Sequence, residues 1–292
     1  MRLHLIDGTF ELYRAHFSKR PSHTTPDGRD GKATVGLVGS LLALLEDPKE
    51  DVTHLAIAFD NPIRSFRNDL FEAYKSDLGV PPELRGQFDD VERAARALGV
   101  TVWSMKAFEA DDALATAAVR FAPQVDQVRI LTPDKDLGQV LSYSNIVQVD
   151  RIREREIDAA AFFEQRGIRP ESVPDWLALV GDTADGIPGL EGWGDKSAAT
   201  VLGAYPRLEQ IPDDPSQWSI KVRGAERLAS VLAAERKNAL LYRTLATLKT
   251  DVPLTESLTD LAWKGTPKAE FEAWCRSFGA TRLASRPKRW TS

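Results

Sequence analysis

The chain has 292 residues, 42% of them hydrophobic and 28% charged, enough apolar material for a large core and too much for wholesale disorder. Its single cysteine, Cys275, excludes an internal disulfide framework and a cysteine-cluster zinc site. The net charge of -5 argues against a nucleic-acid partner only if the acids are evenly spread, and they are not. No apolar run reaches membrane-span length and the N-terminus has no signal-peptide pattern, so a cytoplasmic protein with no membrane partner is expected.

In chain order, four apolar runs read as buried strands, each ending near an acid: Arg2–Asp7, Thr53–Asp60, Val100–Met105 and Val128–Asp134. A shorter fifth covers Ile146–Val149. Helical patterns lie between them at Ala33–Leu45, Glu83–Leu98 and Asp111–Phe121. The alternation predicts an α/β fold whose central, mostly parallel sheet carries helices on both faces. In such sheets functional groups gather beyond the carboxyl ends of the strands. After Arg169 the pattern turns helical, at Pro174–Val180, Lys196–Leu202, Ala225–Leu248 and Lys268–Phe278, so a division into residues 1–169 and 170–292 is expected. The basic tail Arg286–Trp290 is expected to be loose.

Nine carboxylates fall into five clusters: Asp7; Asp60; Glu109, Asp111 and Asp112; Asp134 and Asp136; Asp182 and Asp185. Setting these nine aside leaves the rest of the chain at +4, so bulk charge does not exclude DNA. Like charges at contact distance raise one another's pKa, and hard divalent cations resolve the conflict. The four histidines show no metal-ligand spacing, so Mg²⁺ or Mn²⁺ suits the set better than Zn²⁺. A carboxylate-only cluster fits two-metal phosphoryl chemistry. Taken singly, Glu109, Asp111 and Asp112 could serve a helix dipole, and Asp134, Asp136 and Asp182 could be turn residues. Five clusters agreeing favour the metal reading.

Phe66, Leu70, Phe71 and Tyr74 share helical spacing in Ile63–Lys75, with Arg64, Arg67 and Lys75 as a cationic face. A cation there could stabilise charge on a phosphate, and an aromatic could stack on an unpaired base. In Gly186–Thr200, Gly189, Gly192 and Gly194 punctuate a tight turn, and Ser197 enters a helix beside Lys196. Exposed amides at such a turn grip a sugar–phosphate backbone without reading its sequence.

Taken together, these residues resemble the 5′-nuclease family, the 5′→3′ exonucleases and flap endonucleases typified by the N-terminal domain of bacterial DNA polymerase I. The resemblance runs through Leu5-Ile-Asp-Gly8, Ala58-Phe-Asp60, Phe66–Lys75, Glu109-Ala-Asp-Asp112, Asp134-Lys-Asp136, Gly181–Gly189 and Gly194-Asp-Lys196, and covers about the first 255 residues in order. It implies a structure-selective, two-metal nuclease of DNA replication and repair. Asp7, Asp60, Glu109 and Asp111 resemble one metal site. Asp134, Asp136, Asp182 and Asp185 resemble the second, with Asp111 or Asp112 between, for two or three Mg²⁺ or Mn²⁺ ions. The resemblance makes Asp7, Asp60, Asp136 and Asp185 catalytic, with Arg67 and Lys75 as arch residues on the reacting phosphate. DNA contacts are implied at Arg14, Arg64, Arg67, Tyr74, Lys75 and Arg85. Others are implied at Gly189, Gly192, Gly194, Lys196 and Ser197, in a helix–three-turn–helix that often holds K⁺. Implied partners are branched or nicked duplexes with a 5′ flap or 5′ end, an RNA primer, and a functional link to polymerase and ligase. A monomer is expected, free-standing because no polymerase or proofreading sequence follows.

Three departures stand out. Gly186 replaces the family's usual Asn, Asp77 and Leu78 follow Ser76 where an Arg is usual, and Pro133 replaces a common Gly. A haloacid-dehalogenase-type phosphatase is disfavoured, because the position of its nucleophilic Asp holds Leu5. The alternative is a catalytically weak DNA-junction-binding protein; complete loss of catalysis usually removes ligands, and all nine acids remain. A PIN-like single-strand ribonuclease would not need the glycine-rich turn.

Overall fold

A computed structural model describes residues 1–291. Its elements in chain order are β1 (Arg2–Asp7), α1 (Gly8–Phe17), α2 (Lys32–Glu46), β2 (His54–Asp60), α3 (Arg67–Leu70), α4 (Pro82–Arg85) and α5 (Phe88–Ala97). Then follow β3 (Thr101–Met105), α6 (Ala110–Phe121), β4 (Gln127–Leu131), β5 (Ile146–Asp150), β6 (Arg155–Ile157), α7 (Ala159–Arg166) and α8 (Val173–Val180). The chain closes with α9 (Asp195–Ala204), α10 (Ala225–Ala246), β7 (Thr266–Pro267), α11 (Lys268–Ser277) and β8 (Trp290–Thr291). The fold is α/β, with a mixed, mostly parallel six-stranded sheet of order β3-β2-β1-β4-β5-β6 and a helical C-terminal region.

Two compact units divide the chain. The first comprises Met1–Arg64, Asp77–Thr132 and Thr250–Ser292. Here β1 pairs in parallel with β2 and β4, and β2 with β3. Every residue of β2 and all but the first of β1 are buried: Leu55–Phe59 is apolar on both faces, and in β1 the apolar Leu3, Leu5 and Ile6 flank a buried His4 that pairs with Glu50 (3.0 Å). The segment after Thr250 returns to this unit. Trp263 donates from its indole to Leu98 O (3.1 Å) and from its amide to Thr53 O (3.0 Å), and Arg120 donates to Leu254 O (2.8 Å). The basic tail is not loose as expected: β8 pairs in parallel with β7, and Pro287 is buried.

The second unit comprises Ser65–Ser76 and Pro133–Lys249. Its strands β5 and β6 pair antiparallel, and its helices are α3 and α7 to α10. Two expected helices are shorter than their spacing suggested. The pattern over Glu83–Leu98 breaks at Gly86–Gln87, where the Gln87 side chain accepts from the Thr34 amide and hydroxyl (3.0 and 3.1 Å). The pattern over Ile63–Lys75 yields only the single turn α3. There Asn68 donates from its side chain to Lys75 O (2.9 Å), folding the chain back before a second turn can form.

Candidate metal and nucleic-acid site

In the first unit, Asp7 and Asp60 end the adjacent parallel strands β1 and β2, where open sheets collect functional groups. Asp7 caps α1: its Oδ1 accepts the Phe10 amide (2.8 Å), and its Oδ2 accepts the Thr132 hydroxyl (2.9 Å) just past β4. Asp60 Oδ1 accepts the Ala110 amide (2.8 Å), tying the end of β2 to the start of α6. Glu109 is the N-cap of α6 in a reciprocal capping box with Asp112, whose Oδ2 accepts the Glu109 amide (3.0 Å). Asp111 is half-buried in the same first turn. Helix N-terminal amides thus order these buried acids and tolerate their charge. A cavity of about 250 Å³ is lined by Asp60, Arg85 and Asp89. Arg85 is exposed and pairs with Asp77, the acid that replaces a usual arginine. Arg14 pairs with Glu11 and donates to Ser40 Oγ (3.0 Å), so its guanidinium is engaged within the unit. Arg64 is exposed.

In the second unit, Asp136, Asp182 and Asp185 each offer a carboxylate oxygen within 4.8 Å of the others. Asp136 is buried, and its Oδ1 accepts no hydrogen bond. Burial, then the nearby Asp134, raises its carboxyl well above the usual carboxylate range. Lys135 lies against this group, pairing with Asp182 and standing 3.4 Å from Asp136 Oδ1. Burial opposes its charge, but Asp136, Asp182 and Asp134 together hold its pKa above the ordinary lysine value. Burial likewise works to raise the Asp182 carboxyl, and Lys135 with the Ala184 amide outweighs it, leaving the carboxyl below its usual value. Asp134 is half-buried; its Oδ1 turns to the Asp136 amide (3.0 Å) and its carbonyl accepts from Gln148.

The same unit fixes the arch residues. Lys75 holds Asp185 from two sides, through Nζ to Oδ1 (3.2 Å) and through its amide to the Asp185 carbonyl (2.9 Å). Tyr74, implied as a DNA contact, is buried with its hydroxyl 3.3 Å from Asp185 Oδ2. Arg67 is placed otherwise than the resemblance implied. It is 1% exposed and donates through Nε to Leu245 O (2.6 Å) and through Nη2 to Thr247 O (3.0 Å). A cation at the C-terminus of α10 satisfies carbonyls the helix leaves without partners. Gly186 has φ +73°, and a Cβ there would lie 2.3 Å from Ala73 O, so the departure from Asn answers to backbone packing.

The glycine-rich turn joins α8 to α9. Gly189 has φ +70°, and a Cβ on it would stand 2.5 Å from Gly181 N. Leu190 donates to Leu179 O (2.8 Å), and buried Trp193 donates to Leu228 O (3.2 Å), fixing the turn against α8 and α10. Gly194 caps α9 and donates to Ser197 Oγ (3.1 Å). Gly192, Gly194, Lys196 and Ser197 line an open cavity of about 620 Å³ with Lys221 and Arg223. Sequence reasoning passed over those last two cations and Lys135. The triplet Lys221-Val-Arg223 before α10 and the lysine inside Asp134-Lys-Asp136 were the available signals.

The donor set fits hard divalent cations. The oxygens are carboxylates, they crowd within one coordination sphere, and one buried oxygen accepts no hydrogen bond. Among the described residues, no helix is long and apolar enough to cross a membrane.

Comparison with known proteins places these features. Residues 2–167 match the family described as 5′-3′ exonuclease, N-terminal resolvase-like domain, and residues 168–269 match 5′-3′ exonuclease, C-terminal SAM fold. A 5′-3′ exonuclease of Aquifex aeolicus is 30% identical over 263 residues, covering 90% of this chain and 86% of that protein. DNA polymerase I of Rhizobium leguminosarum is 35% identical over 265 residues, 89% of this chain but 26% of the polymerase. The chain thus spans about a quarter of that relative's length. In fold it resembles a bacteriophage T5 flap endonuclease solved as a pseudo-enzyme–product complex with DNA and metal ions. That likeness has a TM-score of 0.63 at 18% identity, over 84% of this chain and 89% of the other. The chain belongs to the 5′-3′ exonuclease family.

Proposed function

We propose that the chain hydrolyses DNA phosphodiesters as a divalent-metal-dependent 5′→3′ exonuclease and flap endonuclease, acting on nicked or branched duplexes with a free 5′ end. The observation that carries this reading is the Asp136, Asp182 and Asp185 triad, with a buried Asp136 oxygen that accepts no hydrogen bond, inside a chain of this family. Asp136, Asp182 and Asp185, with Asp134 beside them, would hold one Mg²⁺ or Mn²⁺. Asp7, Asp60, Glu109 and Asp111 would hold another, with Asp112 orienting Glu109 through the capping box. When bound, such ions supply the positive charge that activates water and stabilises the leaving oxygen.

The protein's own groups supply position. Lys75, steered by Asp185, presents an ammonium that would stabilise charge developing on the scissile phosphate. Lys196 and Ser197 at the start of α9, with Lys221 and Arg223 on the same cavity, would grip the duplex backbone without sequence preference. Backbone carbonyls of the glycine-rich turn are the proposed place for K⁺. Links to an RNA primer, a polymerase and a ligase belong to this proposal, on the resemblance alone.

Product length on a 5′-labelled flap duplex tests it. Products the length of the flap, with no cutting of the same strand left unpaired, support structure selectivity. Equal cutting of both would refute it.

A further inference from the structure

The resemblance leaves the basic C-terminal segment without a role, and family matching ends at residue 269. The structure brings that segment to a cavity of about 260 Å³, wholly within the first unit, lined by Arg20, Lys32, Arg282 and Arg286 with Gly36 and Gly39. Four cations and no carboxylate line it. Among the described residues, Arg20, Lys32 and Arg282 form no salt bridge, and Arg286 is 3.4 Å from Glu46.

We propose that this cavity is a phosphate-binding site. Two of its cations, Lys32 and Arg20, are held in place. Lys32 Nζ donates to His16 O (2.6 Å) and Ser18 O (2.8 Å), which leaves the third donor of the ammonium available. Arg20 Nη1 donates to Gly36 O (2.9 Å), spending one of five donors. Glycines inside a helix are destabilising, yet α2 carries both Gly36 and Gly39 on this wall. A Cβ on Gly36 would lie 2.9 Å from Ala15 Cβ and 3.4 Å from Arg20 Cδ, and one on Gly39 would lie 3.4 Å from Arg20 Nη1. The small residues give the Arg20 side chain its bed. Arg282 adds a guanidinium with nothing to pair with. Three of the four cations have no counter-ion, so they repel one another, and a multiply charged oxyanion with several acceptor atoms relieves that while filling the spare donors.

A nucleic-acid backbone and free phosphate share this chemistry, and two assays on the full chain in EDTA separate them. One is calorimetric titration with inorganic phosphate; the other is anisotropy of a fluorescent duplex across a salt series. Arg282→Gln is compared with Lys288→Gln, which removes the same charge from the neighbouring exposed surface. Loss of about tenfold in phosphate affinity for Arg282→Gln but not Lys288→Gln supports the site. If Arg282→Gln also lowers the duplex salt slope by about one, the natural occupant is a backbone phosphate. An unchanged slope beside lost phosphate affinity assigns a free phosphate. Equal losses in the two variants, or none in either assay, overturn the proposal. Cleavage plays no part in either assay, so this outcome and that of the nuclease reading are independent.

Discussion

Replacing Gly186 by the asparagine usual in the family should damage this protein, and the structure gives the size of the effect. Gly186 has φ +73°, a conformation asparagine tolerates better than other residues, so the dihedral contributes little. The added Cβ matters more. It would stand 2.3 Å from the Ala73 carbonyl oxygen, about 0.7 Å inside the 3.0 Å that such atoms keep. The obstacle is backbone, and it is pinned. Lys75 N donates to Asp185 O (2.9 Å) and the Tyr74 hydroxyl reaches Asp185 Oδ2 (3.3 Å), so neither segment can retreat without weakening these bonds. Overpacking of this kind costs about 1–3 kcal/mol, and one weakened hydrogen bond adds about 1 kcal/mol. Gly186→Asn should therefore lose about 2–4 kcal/mol in urea unfolding with EDTA present, and Gly186→Ala at least as much. Because Lys75 moves with Ala73, single-turnover cleavage should slow while duplex affinity holds. An asparagine variant within about 0.5 kcal/mol of the parent, cutting at the parent rate, would refute the packing argument.

Arg67→Ala should destabilise the chain by about 2–4 kcal/mol, since it strands the Leu245 and Thr247 carbonyls at the end of α10. The salt dependence of DNA binding should not change, and a reduced slope would return Arg67 to the phosphate. Lys75→Ala should slow the chemical step by about 10²-fold in single-turnover kinetics with less than about a threefold change in binding; a loss confined to binding would contradict that role. Lys196→Ala should weaken duplex binding and lower its salt slope by about one, and an unaltered slope would remove it from the backbone grip.

The sheet was legible because parallel strands buried on both faces are continuous apolar runs. Leu55–Phe59 could hardly be anything else, Leu3–Ile6 is interrupted only by His4, and the acids ending them marked the functional edge. Helix α1 escaped notice because its buried positions, Gly8, Glu11, Leu12 and Ala15, include a glycine and a charge. Strand β6, three residues long and mostly exposed, has no apolar pattern to read. The Ile63–Lys75 segment had helical spacing but lost its helix to tertiary partners: Asn68 draws back the Lys75 carbonyl, and Asp185 takes Tyr74 and Lys75. No periodicity reports such bonds.

Candidate site residues were legible by type, less so by orientation. A run of acids on strand ends and helix starts is visible in a sequence, and so is a glycine-rich turn before a helix. Whether a cation faces solvent or a helix terminus is not, which is why Arg67 and Lys75, eight positions apart, read alike and lie differently. The capping roles of Asp7 and Glu109 are compatible with ion binding, because a helix N-terminus holds a carboxylate in its charged form. Gly186 read only as a departure from the family's usual Asn, whereas the structure makes it the point where two backbone segments meet.

The most direct test of the account is cleavage of a 5′-labelled flap duplex in Mg²⁺, Mn²⁺ or EDTA by the parent chain and by Asp136→Asn. The account predicts flap-length products in either metal, none in EDTA, and none from the variant, which still binds the duplex. Cleavage that persists in EDTA, or that survives the Asp136→Asn change, would contradict it.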